Sequence, residues 1–125
     1  MKIPQDLRDE WQEAQKCFAA KAYKATAVMV RRTLEGTCAD QGVDKGSLAN
    51  RLQKLKAEGR IDGLLAEWAD LLRVVGNAGA HFSDESVSRQ DAEDALEFSE
   101  ALLDHVYVLR SRFEEFKSRR QTEEK

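Results

Sequence analysis

The chain has 125 residues, a length that suits one domain built around a single core. Hydrophobic residues make up 42% and charged residues 34%, and no apolar run approaches the length of a bilayer span, so a water-exposed, non-membrane protein is expected. The net charge of −3 sets up no global basic field, so any contact with RNA has to come from a local patch.

The N-terminus, Met1 to Asp6, has no apolar signal region, which predicts a cytoplasmic chain. The single proline, Pro4, suits the start of a first helix whose apolar positions Leu7, Trp11, Ala14 and Phe18 keep to one face and which ends near Lys21. Asp6, Asp9 and Glu10 give its first turns the negative charge that the helix dipole favours. A second helix carries Tyr23, Ala27, Val30, Leu34 and Cys38 and stops at Gly42. Within it Arg31 and Glu35 are spaced for an ion pair, leaving Arg32 to reach elsewhere. Cys17 and Cys38 fall among apolar helical positions and lack CxxC or Cys/His spacing, so they are expected to be buried free thiols, with no metal and no cofactor.

Ser47 is placed to cap a third helix with Leu48, Leu52 and Leu55, closed by Gly59. Lys45, Arg51, Lys54, Lys56 and Arg60 make this the most basic short segment, the pattern of a solvated amphipathic face. Asp62 caps a fourth helix, whose buried sector is predicted to hold Leu64, Trp68, Leu71, Val75 and Phe82. After a polar loop at residues 83–86, Ser88 and Asp91 form a capping box at the head of a long helix through Ala92, Leu96, Leu103, Val106, Leu109, Phe113 and Phe116. Extended to Arg120 this helix is about 50 Å long, more than its neighbours, so its last turns are expected either to cover the first helix or to pack on a second subunit in a two-fold dimer. His105 is read as flanking the core. The pattern as a whole predicts an all-α antiparallel bundle of about five helices, a single domain over residues 1–120, with residues 121–125 a charged, frayed tail.

The segment from Arg73 to His81 stands out. Arg73, Asn77 and His81 recur every four residues, so on a helix they drift by about 40° per step and form one polar stripe beside Asp70, turned away from the core. Gly76 and Gly79 lie on the opposite shoulder. Each costs a helix about 1 kcal/mol relative to alanine, a cost that points to close packing of another backbone there. A solvated helix face ending in a dipole-favoured histidine is the plain structural reading of the same residues.

Three blocks together, Arg31-Arg32-Thr33-Leu34-Glu35, the Leu48 to Leu55 helix closed by Gly59-Arg60-Ile61, and Leu71-Leu72-Arg73-Val74-Val75-Gly76-Asn77-Ala78-Gly79-Ala80-His81, resemble a bacterial family known as domain of unknown function 4145, within the HEPN superfamily of helical bundles. The resemblance spans roughly residues 4 to 110. It implies a bundle whose catalytic relatives are metal-independent ribonucleases acting as dimers, with an arginine and a polar residue ahead of a histidine. Carried over, His81 corresponds to the acid/base that shuttles protons as a ribose 2′-hydroxyl attacks phosphate, and Asn77 to the polar residue. The arginine position is Gly76, and the nearest arginine able to stabilise a phosphorane-like transition state is Arg73, one helical turn further off.

The resemblance thus implies, first, a non-catalytic HEPN-like module binding RNA or a protein partner through Arg73, Asn77, His81 and Arg32, with a place in bacterial defence or restriction systems. The alternatives are a toxin-like endoribonuclease using His81, Arg73 and Asn77, and a purely structural dimerising bundle in which Gly76 and Gly79 form the packing seam.

Overall fold

The structure, a computed structural model, describes residues 3–69 and 87–123. All regular structure among the described residues is helical. Helix α1 spans Gln5–Ala19, α2 Tyr23–Asp40 and α3 Leu48–Ala57; residues 63–69 are helical and are called α4; α5 spans Arg89–Leu103. A π-helical segment, Asp104–Leu109, joins α5 without a break to α6, Arg110–Glu123. No helix among the described residues is long and apolar enough to cross a membrane.

Local chemistry accounts for most of the boundaries. Pro4 precedes the first turn of α1, and its carbonyl accepts from the Arg8 N–H at 3.0 Å. Gly42 and Gly59 take the left-handed conformation (φ 87° and 74°) that ends α2 and α3. Ser47 Oγ accepts from the Asn50 N–H at 3.1 Å, and Asp62 Oδ1 accepts from the Leu65 N–H at 2.8 Å. At the head of α5 the Ser88 hydroxyl accepts from the Asp91 N–H at 3.0 Å while the Asp91 carboxylate accepts from the Ser88 N–H at 3.4 Å, a reciprocal capping box.

Helix α2 is the central element, packed against α1, α3 and α5, and α5 also rests on α1. One core joins Leu7 and Ala14 of α1, Val30, Leu34 and Cys38 of α2, the three leucines of α3, Leu65, Ala66 and Ala69 of α4, and Phe98, Leu102, Leu103 and Val106 of the long helix. A smaller cluster of Ala27, Val87 and Ala92 is covered by Phe18 and Tyr23, with the Arg89 guanidinium 5.3 Å above the Phe18 ring.

The structure departs from the sequence expectation in four places. Leu64 is 73% exposed, and the buried face of α4 runs through Leu65, Ala66 and Ala69 with Trp68 at its edge. Adjacent leucines at 64 and 65 make two helical phases equally apolar, and the edge-to-face contact of Trp68 with Phe98, centroids 5.2 Å apart, belongs to the second. The buried face of α2 holds Ala27, Val30, Leu34 and Cys38 as expected, but it also takes in fully buried Thr26, Thr33 and Thr37, which the apolar period does not mark. Their hydroxyls donate to the carbonyls of Ala22, Met29 and Thr33 at 2.8–2.9 Å, which satisfies them inside their own helix. Of the two places expected for Phe113 and Phe116, the first helix is excluded: they are 59% and 54% exposed and do not reach α1, and α6, with no buried residue, is helical to Glu123. Ion pairs one turn apart, Arg110–Glu114 and Arg119–Glu123, support it there.

The fourth departure concerns the thiols. Cys38 is buried as expected, whereas Cys17 is only partly so. Burial pushes the Cys38 thiol up to about 11. One thiol per chain is therefore expected to react with a disulfide reagent in the native state at pH 8, and the second only on unfolding. Equal native-state rates for the two would contradict this assignment.

Candidate functional site

The Arg31–Glu35 block on α2 is resolved into two ion pairs. Arg31 Nε lies 3.5 Å from Glu35 Oε2, one turn along the helix. Arg32 turns to α1, where its Nε and Nη2 donate to the two Glu10 carboxylate oxygens at 2.9 and 2.7 Å, a bidentate clamp between the helices. That pairing holds the Glu10 carboxyl below the usual range and the Arg32 guanidinium above its own.

The clamp borders a shallow cleft of about 260 Å³ lined by Asp6, Leu7, Glu10, Arg32, Glu35 and Gly36. The helices meet closely at Gly36, where a Cβ would sit 2.5 Å from Leu7 Cδ2. Three carboxylates and one arginine make this cleft acidic, which disfavours a phosphate ligand. Arg32, expected from sequence to face a ligand, is instead committed to holding α1 against α2.

The other residues singled out from sequence, Arg73, Asn77, His81, Gly76 and Gly79, lie outside the described residues, as do Asp70, Leu71, Val75 and Phe82. The described chain brackets that stretch. On one side α4 carries Trp68 against Phe98, and on the other Val87 and the Ser88 cap lead into α5.

Two further clefts flank the long helix, and neither was evident from the sequence. The first, about 250 Å³, lies where the α3–α4 turn meets the start of α6, lined by Gly59, Arg60, His105, Leu109, Arg110 and Phe113. His105, expected beside the core, is half-buried and lines it. Behind it a polar latch ties the end of α2 to the π segment. The Tyr107 hydroxyl donates to Asp40 Oδ2 at 2.5 Å, and Arg60 Nη1 donates to Gln41 Oε1 at 2.8 Å. Burial, with the Asp40 carboxylate beside it, raises Tyr107 above the ordinary phenol value.

The second cleft, about 180 Å³, is lined by Ile3, Trp11, Glu100, Leu103, Asp104 and Val108. The Trp11 indole Nε1 is buried and has no hydrogen-bond partner among the described residues. Read along one helix, Trp11 is simply a core position, and only the packing of α1 on the long helix makes it a cleft wall. Among the described residues no cluster of His, Cys, Asp and Glu side chains is arranged to hold a metal ion.

Comparison with known proteins is informative at the level of family. Searches of curated proteins and of solved structures return no match to this chain. A family profile described as a domain of unknown function, DUF4145, matches residues 12–119, from the second half of α1 to the last turns of α6. With that match covering most of its length, the chain belongs to the DUF4145 family.

Proposed function

We propose that this chain is a non-catalytic, HEPN-like helical module that binds RNA or a protein partner, with a role in a bacterial defence or restriction system. The observation that carries the reading is Gly76, at the position where the superfamily motif has its arginine. Without an arginine directly before Asn77, charge developing on a phosphate lacks the partner the motif supplies, while the Arg73–Asn77–His81 spacing still suits recognition. Arg31 with Glu35 and Arg32 with Glu10 place two arginines of α2 in ion pairs of the scaffold, so in this reading recognition rests on Arg73, Asn77 and His81.

Incubation of the full chain with single-stranded RNA in EDTA tests it, with binding titrated across salt concentrations. The expected result is intact RNA, measurable binding, and a slope of log K against log salt that falls by about one when Arg73 becomes alanine. His81→Ala is expected to leave binding nearly unchanged, because a neutral imidazole releases no counterion. Products with cyclic phosphate ends that disappear in His81→Ala would establish the endoribonuclease reading instead. Absence of RNA binding at low salt would restrict the module to protein partners or to the structural role.

A further inference from the structure

Of the three clefts, the one where the α3–α4 turn meets α6 is lined by two arginines, Arg60 and Arg110, and by no carboxylate. Both guanidiniums keep donors to spare. Arg60 Nη1 is bonded to Gln41 and its Nε lies 3.3 Å from Glu58, which leaves Nη2; Arg110 Nε lies 3.6 Å from Glu114, which leaves both of its Nη groups. Glu58 and Glu114 stand outside the lining. Ion pairs as open to solvent as these are weak, so a phosphate competes with them for the same donors. Between the arginines, the half-buried His105 imidazole has no hydrogen-bond or ion-pair partner among the described residues.

The π segment creates this grouping. In an α-helix residues five apart are about 140° from each other around the axis, which would turn Arg110 away from His105. A π turn bonds residues five apart and so returns Arg110 to the side of His105. Segments of this kind recur at functional sites. Next to both, Phe113 leaves its ring exposed at the mouth of the cleft.

We propose that this cleft binds a nucleotide, with the phosphate held by Arg60, Arg110 and His105 and the base stacked on Phe113. The three side chains supply N–H donors to phosphate oxygens, and an open phenyl ring accepts the face of any base. The acidic clefts beside Glu10 and Glu100 repel the same group. A free nucleotide and one nucleotide of an RNA strand share this chemistry. The site uses no residue of the Arg73–His81 stretch, so it stands whether or not that stretch binds RNA.

Proton NMR of the two histidines tests the proposal, with the His105 imidazole signals assigned by their absence from His105→Ala. Adenosine monophosphate is expected to shift those signals saturably, and at lower concentration than inorganic phosphate or adenosine, because it alone engages both the cations and the ring. Arg110→Ala is expected to weaken the nucleotide by about tenfold or more. Phe113→Ala is expected to weaken the nucleotide while leaving inorganic phosphate nearly unchanged. Both side chains are exposed, and circular dichroism verifies that each variant keeps its fold. A response to adenosine monophosphate assigns the site to a free nucleotide; a response to a short single-stranded RNA alone assigns it to a strand, and either supports the proposal. No response of His105 to either probe, an equal response to nucleotide and inorganic phosphate, or undiminished affinity in Arg110→Ala would overturn it. Arg73→Ala is expected to leave the His105 response unchanged, which separates failure of this site from failure of the Arg73–His81 reading.

Discussion

Replacing Phe98 with alanine is expected to lower stability by about 3–5 kcal/mol, the usual cost of emptying a fully buried aromatic site. Phe98 has no exposed surface and belongs to the core that joins all the helical layers, so its neighbours cannot collapse into the cavity without moving α5. For a chain of this size such a loss corresponds to a fall in Tm of roughly 10 °C or more. The consequence reaches function through Trp68. Its edge-to-face contact with Phe98 anchors α4 just before the Arg73–His81 stretch in the chain, so Phe98→Ala is also expected to weaken whatever binding that stretch supports. Phe98→Leu keeps most of the volume and is expected to cost less than about 1.5 kcal/mol. Thermal unfolding of the two variants checks this; an alanine variant melting within a few degrees of wild type would show that Phe98 is not a core anchor.

Alkaline pH is expected to unfold this protein through Tyr107. Burial and the neighbouring Asp40 carboxylate raise its folded-state value above that of a free phenol, so the folded chain holds this proton more tightly than the unfolded chain does. Its contribution is therefore complete below about pH 10, the unfolded value, and is lost as pH rises from there toward the folded value. Tyr107→Phe removes the 2.5 Å hydrogen bond to Asp40. It is expected to cost about 1.5 kcal/mol at neutral pH, the lower end for a bond to a charged acceptor, because exposed Asp40 regains water. The same variant should lose the part of the alkaline instability that begins near pH 10. Denaturant titrations at pH 7 and pH 11 measure both effects, and an equal fall in wild type and variant between the two pH values would remove Tyr107 as the cause.

The all-helical class, the caps and the stops were legible in the sequence because each acts within a turn or two of itself. Ser47, Asp62, Gly42, Gly59 and the Ser88–Asp91 box satisfy or release backbone groups a few residues away, and the apolar period of α1, α2 and α3 is equally local. The candidate site was legible only as a spacing, Arg73–Asn77–His81, within a stretch that lies outside the described residues. Contacts between distant parts of the chain decided the rest. Leu64 and Leu65 are interchangeable by local pattern, and only the tertiary core distinguishes the exposed one from the buried one. Arg32 was free along its own helix and finds its partner at Glu10, 22 residues back, while Tyr107 finds Asp40 across 67 residues. Trp11 becomes the wall of a cleft only when α1 meets the long helix. Periodicity states which face of a helix is apolar, but what that face and its charged margins touch is set by packing between elements that no local signal connects.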